Sequence, residues 1–245
     1  MRKTLIPALM AAALAGAFVV APAFSADPAY VTDALANKAR PKADTDQDAL
    51  RKPAEMLAFA GIKPGSTVAE WIPGAGYFTR IFGKAVGSAG HLYTFAQTAT
   101  PALTAIQSDP SYGGRVQIIA GDLTAAKAPT PVDVVWTSRN YHDLSADVRG
   151  KLNKASFDML KPGGVYIVLD HSAVVGTGDF AMAPGQGLHR IDENLVKLEV
   201  MRAGFKLDGE SNTLRNDKDT RTNRVFDSSI RGDTDQFILK FRKPR

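Results

Sequence analysis

The chain has no cysteine at all, which removes disulfides, thiolate metal ligands and a lipid-modified cysteine together. Its stability must therefore rest on a core, and about 220 residues suffice to build one. Aromatic residues are few, 8% of the total, and fall singly instead of forming base-stacking clusters. Charge is also unremarkable in sign: the net value is +5, and Arg2 with Lys3 supplies two of those charges. Neither feature offers a footprint for nucleic acid. Long apolar runs are missing with one exception, Leu5 to Val20.

That exception sits behind the basic pair Arg2-Lys3 and ahead of the small residues Ala21-Pro22-Ala23-Phe24-Ser25-Ala26. Basic head, apolar middle and small-residue tail make a secretory signal peptide over residues 1–26, with cleavage after Ala23, Ser25 or Ala26. The run is short of the ~20 apolar residues a membrane span needs. The expectation is a periplasmic or secreted protein without stable membrane insertion. Residues 27–46 read as a helix near Tyr30 to Asn37 and an exposed connector. Residues 47–245 read as one domain.

Within that domain the stretch Ser66 to Ile81 organises the rest. Thr67 to Ile72 has the pattern of a short buried strand, apolar apart from Glu70. Pro73-Gly74-Ala75-Gly76 breaks it, and Tyr77 to Val86 resumes with helical spacing. Strand, glycine turn and helix bring backbone N–H groups and a positive helix end to one point, a geometry suited to a nucleotide-like ligand. Before it, Gln47 to Ala60 reads as helix ended by Gly61 and Pro64. After it come strands at His91–Phe95, Arg115–Ala120, Val132–Thr137, Val165–Leu169, Phe205–Glu210 and Gln236–Arg242. Helices fall at Pro101–Ser108, Asp147–Leu160 and Glu193–Ala203. This alternation predicts a doubly wound α/β fold, a mostly parallel seven-stranded sheet with helices on both faces. Ligands of such sheets sit at the carboxyl ends of the strands. Two stretches interrupt the rhythm, the glycine-rich Ser172 to Leu188 and the polar Ser211 to Asp235. They suit either a lid or two surface loops.

The core from Gln47 to Lys240 resembles a class I S-adenosylmethionine-dependent methyltransferase. The matching points are Glu70 to Gly76, Gly121-Asp122-Leu123 after the third strand, and Leu160-Lys161-Pro162-Gly163-Gly164 before the fifth. Asn140-Tyr141-His142-Asp143, Asp170-His171-Ser172 and Leu188 to Asp192 are similar to a group of exported, predicted methyltransferases. The resemblance implies S-adenosylmethionine as cofactor and a small-molecule acceptor. It places Glu70 near the methionine part, Gly74 and Gly76 beneath the ribose, and Asp122 at the adenine amino group. Two positions depart from the pattern. Ile72 stands where the first glycine usually is, and Phe95-Ala96-Gln97 lacks the acid that grips the ribose, leaving Gln97 to replace one hydrogen bond.

Three of the four histidines, His142, His171 and His189, fall at the same edge, each with an acid close by: Asp143, Asp170 and Asp192. Two chemistries fit them. In one, His142 is a general base oriented by Asp143 or Asp170, while Asn140 and Tyr141 position the acceptor. In the other, His142, His171 and His189 with Asp170 bind a divalent metal such as zinc, although the spacing follows no short metal motif. The base reading leads. A different activity on the same scaffold, ligand binding or metal-dependent hydrolysis, is the alternative function.

Overall fold

The computed structural model describes residues 27–179 and 187–245. The expected signal segment, residues 1–26, lies outside the described residues. Seven strands form one sheet: β1 (Thr67–Trp71), β2 (His91–Ala96), β3 (Val116–Ala120), β4 (Val132–Ser138), β5 (Leu160–His171), β6 (Lys206–Ser211) and β7 (Gln236–Arg242). Their order is β3-β2-β1-β4-β5-β7-β6, parallel from β3 to β5, with β7 antiparallel between β5 and β6. The order reverses between β1 and β4, so the ends of those two strands are the expected ligand position.

Period-two alternation divides the strands between two cores. Val68, Val134, Trp136 and Ile167 pack with α1 (Ala29–Leu35), α4 (Pro53–Ala60), α5 (Tyr77–Ala85) and α6 (Pro101–Ser108). Ala69, Trp71, Val135 and Val168 face the other way, against α7 (Ala146–Met159) and α8 (Glu193–Arg202). Helices thus cover both faces, as the alternation predicted.

Three local expectations change. The helix expected over Gln47 to Ala60 is two pieces, α3 (Asp48–Arg51) and α4, because Lys52 takes a left-handed conformation ahead of Pro53. The pyrrolidine ring disfavours right-handed helix at the residue before proline. Lys161 to Gly164, expected as a turn, is a bulge within β5: Leu160 pairs with Val132 and Val165 already with Val134. The connector expected to be exposed between 38 and 46 contains the short α2 (Lys42–Thr45) and buries Arg40 and Asp44. Arg40 grips both oxygens of Asp48, and Asp44 accepts from Arg80 at 2.9 Å. Arg80 also donates to the Ala75 carbonyl at 3.0 Å, tying this segment to the glycine turn.

Candidate active site

The carboxyl ends of β1 and β4 share an unusual backbone. The residue that follows each strand, Ile72 (φ 51°) and Arg139 (φ 57°), is left-handed without being glycine. For β-branched Ile72 this is a steric outlier, with a cost of roughly 1–3 kcal/mol. Neighbouring bonds hold it there. The Ile72 N–H donates to Phe95 O at 2.9 Å, and its carbonyl accepts from Asn140 Nδ2 at 3.1 Å. Asn140 Nδ2 also donates to Ser138 O, and Asn140 Oδ1 accepts from Thr137 Oγ1 at 2.5 Å. Asn140 is therefore a clamp between two strand ends, with its polar atoms engaged inside the protein.

The two turn glycines differ. At Gly74 (φ 58°) the direction a Cβ would take is open, with no atom within 4 Å. At Gly76 (φ 86°) a Cβ would lie 2.4 Å from Ile106 Cδ1 on α6. Gly74 leaves room for a ligand, whereas Gly76 is required by helix packing. Glu70 does not reach this space. It shares the face of Val68, is 2% exposed, and accepts from Thr79 Oγ1 at 2.6 Å and Thr94 Oγ1 at 3.4 Å. Burial pushes its pKa up to about 7 despite those two hydrogen bonds and the Arg51 charge.

Arg51 and Arg139 stand beside the turn. The Arg51 guanidinium lies 3.9 Å from the centre of the Tyr77 ring and 4.9 Å from that of Phe78, and its buried Nε has no hydrogen-bond partner. Arg139 Nε donates to Gln236 Oε1 at 2.8 Å. Burial and then the neighbouring Arg51 charge lower the Arg139 pKa to about 10, and burial lowers that of Arg51. Among the described residues neither guanidinium pairs with a carboxylate, and residues 1–26 and 180–186 contain no Asp or Glu. The charges of Asp44, Glu70 and Asp48 act on Arg51 and that of Asp170 on Arg139, but without direct contact, which leaves guanidinium N–H donors for an anion. Arg139 immediately precedes the Asn140 to Asp143 stretch, and nothing in the sequence marks it as a binder. For Arg51 no local signal exists.

Beyond β3, Asp122 is exposed and its Oδ1 caps the following turn, accepting from Thr124 N and Thr124 Oγ1 at 2.8 Å each. Those bonds lower its pKa. Oδ2 remains available beside a cavity of about 200 Å³ bounded by Ile119 to Lys127. Ala96 ends β2 opposite Ala120, and Gln97 is exposed beyond it. Glycine turn, free guanidinium groups and Asp122 fit S-adenosylmethionine. At Ala96-Gln97, where the resemblance implies the ribose, there is no carboxylate.

The histidine edge assembles as expected in place but not in every role. His142, in the turn Tyr141–Asp143, is 4% exposed. Its Nδ1 lies 2.6 Å from Asp170 Oδ1, and its backbone N–H donates to Asp170 Oδ2 at 2.9 Å. Its Nε2 is 3.3 Å from Asp143 Oδ1, which also lies 3.0 Å from His189 Nδ1. Burial would lower the His142 pKa, but the Asp170 charge and the bonds to Asp143 and Asp170 outweigh it and push the value up to about 10. His171 goes the other way. Burial lowers it to about 3 against the pull of Asp170, and its Nδ1 sits 2.7 Å from Thr234 Oγ1. His142 is thus the imidazolium at neutral pH and His171 the neutral ring.

Tyr141 does not face the site. It is buried, donates to Glu199 Oε2 at 2.9 Å and accepts from Asn153 Nδ2 at 2.8 Å. The expected acceptor-positioning roles of Tyr141 and Asn140 are therefore not met by their side chains. The segment from Ser211 to Asp235 folds onto the edge through charge pairs. Arg190 grips both oxygens of Asp219 at 2.9 and 3.1 Å in full burial, and Asp235 faces Arg215 and Arg221. His189 (φ 54°) precedes that arginine and packs its ring 4.9 Å from Phe226.

No protein-family model matches the chain, and no curated protein is similar to it. Solved structures are similar in fold. The [4+2]-cyclase SpnF aligns with a TM-score of 0.61 at 18% identity, over 85% of each chain. The 1,6-didemethyltoxoflavin-N1-methyltransferase of Burkholderia thailandensis, solved with its namesake ligand and S-adenosylhomocysteine, aligns with a TM-score of 0.60 at 15% identity. That alignment covers 83% of this chain and 82% of the other. A SAM-dependent methyltransferase from Aquifex aeolicus aligns at 0.54 and 19% identity, over 80% of this chain and 98% of its own. At these identities the likeness establishes the fold: a seven-stranded Rossmann-like sheet of the kind found in S-adenosylmethionine-dependent methyltransferases.

Proposed function

We propose that the protein is an exported S-adenosylmethionine-dependent methyltransferase acting on a small molecule. The observation that carries this reading is the open Gly74 turn beside two desolvated arginines that have no carboxylate partner. The bound cofactor supplies an electrophilic methyl group. The chain's own residues do the rest. Gly74 allows close backbone approach, Arg51 and Arg139 hold a carboxylate, and Asp122 Oδ2 accepts a hydrogen bond. At the other end, His142 is aimed by Asp170 so that Nε2 faces the acceptor side. To take a proton from an acceptor, His142 must first lose the one it holds with a pKa of about 10. Turnover through this group therefore rises with pH toward that value.

A second reading, a protein of this fold that does not methylate, is favoured by Ala96 at the ribose position. Ala96→Asp separates the two. Under the methyltransferase reading it restores a charge-assisted bond and tightens S-adenosylhomocysteine binding about 10-fold, or ~1.4 kcal/mol. No gain in calorimetry argues that no ribose lies there.

A further inference from the structure

We propose that His142, Asp143 and His189 form a binding site for a divalent first-row transition metal, zinc foremost. The three side chains each offer one ligand atom, and those atoms lie within 4.8 Å of one another. The separations from Asp143 Oδ1, 3.3 Å to His142 Nε2 and 3.0 Å to His189 Nδ1, match the spacing of ligands around one ion. Donors about 2.0–2.2 Å from a tetrahedral zinc are roughly 3.0–3.5 Å apart. Two imidazoles and one carboxylate are a donor set suited to zinc, cobalt or iron rather than to calcium or magnesium.

The surroundings are those of a ligand set held in place. Asp170 is fully buried and takes the Nδ1 side of His142, which fixes Nε2 as the outward atom. A carboxylate behind a histidine is the usual outer support of a metal-bound imidazole. His189 is fixed from the chain side by the buried Arg190–Asp219 pair one residue on, and Ile191 bridges to Ser172. His171 flanks the site, its ring 5.7 Å from that of His142, with Nδ1 engaged by Thr234. It is a neighbour of the ion and not one of its three ligands. Three protein ligands leave a fourth position for an oxygen of a small molecule or water. Phe226, 55% exposed and packed on His189, borders the site. An ion held through His142 Nε2 takes the lone pair that the general-base role needs, so the metal-bound and proton-accepting states of His142 exclude one another; the metal site does not rest on the proposed function.

The test is titration of the metal-stripped full chain with Co²⁺, followed by visible absorption, and with Zn²⁺ by calorimetry, both without S-adenosylmethionine. The expected result is one equivalent, with the spectrum of a tetrahedral cobalt site. His189→Gln and Asp143→Asn, both at partly exposed side chains, each weaken binding at least ~100-fold, and Asp170→Asn weakens it about 10–100-fold. His91→Gln, at the far end of β2, leaves binding unchanged. Circular dichroism checks that every variant is folded. No cobalt spectrum and no zinc heat in folded wild type overturns the site. Undiminished binding in the His189→Gln/Asp143→Asn double variant does so too, because the ion then sits elsewhere. S-adenosylhomocysteine binding in excess chelator is read separately, so loss of one result leaves the other standing.

Discussion

At the glycine-turn end of the sheet edge, Arg51 and Arg139 are desolvated with no carboxylate against them. At the histidine end, Asp143 and Asp170 converge on His142 from its two ring nitrogens. The first end has guanidinium groups without a direct carboxylate contact, and the second has two carboxylates on one imidazole. The ends adjoin, since Arg139 feels the Asp170 charge and helps hold His171 neutral. Such an edge favours a ligand anionic at one end with a cationic centre beyond it.

The comparison breaks most visibly at the two glycines. Gly76→Val drives a side chain into Ile106 in a backbone conformation that valine resists, and should lower stability by about 3–5 kcal/mol in denaturant melts. Gly74→Val meets no neighbour and costs roughly 1–2 kcal/mol from its left-handed backbone alone. Equal losses would contradict the assignment of one glycine to packing and the other to a ligand.

Glu70 gives the next largest effect. Its folded pKa of about 7 exceeds the usual 4.5, so the folded state keeps a proton that the unfolded chain releases. Its stabilising contribution is complete below about pH 4.5 and is lost as pH rises through 7, by about 3 kcal/mol in all. Glu70→Gln should match wild type near pH 5 and exceed it in stability at pH 8. A variant less stable at pH 8 would mean Glu70 is needed as a carboxylate. The smallest effect concerns the arginines. Arg51→Met and Arg139→Met should each weaken S-adenosylhomocysteine binding about 10–100-fold, roughly 1.4–2.8 kcal/mol, and Arg51→Met should do so without lowering the melting temperature.

How far the sequence reading reached follows from the range of the forces involved. Strand and helix spacing depends on neighbours two to four residues away, so β7 was expected at Gln236–Arg242, where it lies. The break at Lys52 was legible in Pro53 but was overridden by the apolar stripe around it. Glu70 is a different case. Its strand parity with Val68 places it under α5, yet the resemblance suggested a cofactor contact. Tyr141 meets Glu199 and Asn153, and Arg190 meets Asp219, across sequence separations that no local pattern encodes. For the same reason the segment from Ser211 to Asp235 suits either a lid or a surface loop on sequence alone. Its interleaved charges look identical whether they meet water or each other.

The measurement that bears most directly on this account is calorimetric titration of the full chain with S-adenosylhomocysteine, for wild type and Gly74→Val. Wild type should show one site of micromolar affinity, and a Gly74→Val variant that remains folded should show no binding. Absence of binding in wild type, or undiminished binding in Gly74→Val, would contradict it. The glycine turn and its two arginines would then serve some other anion.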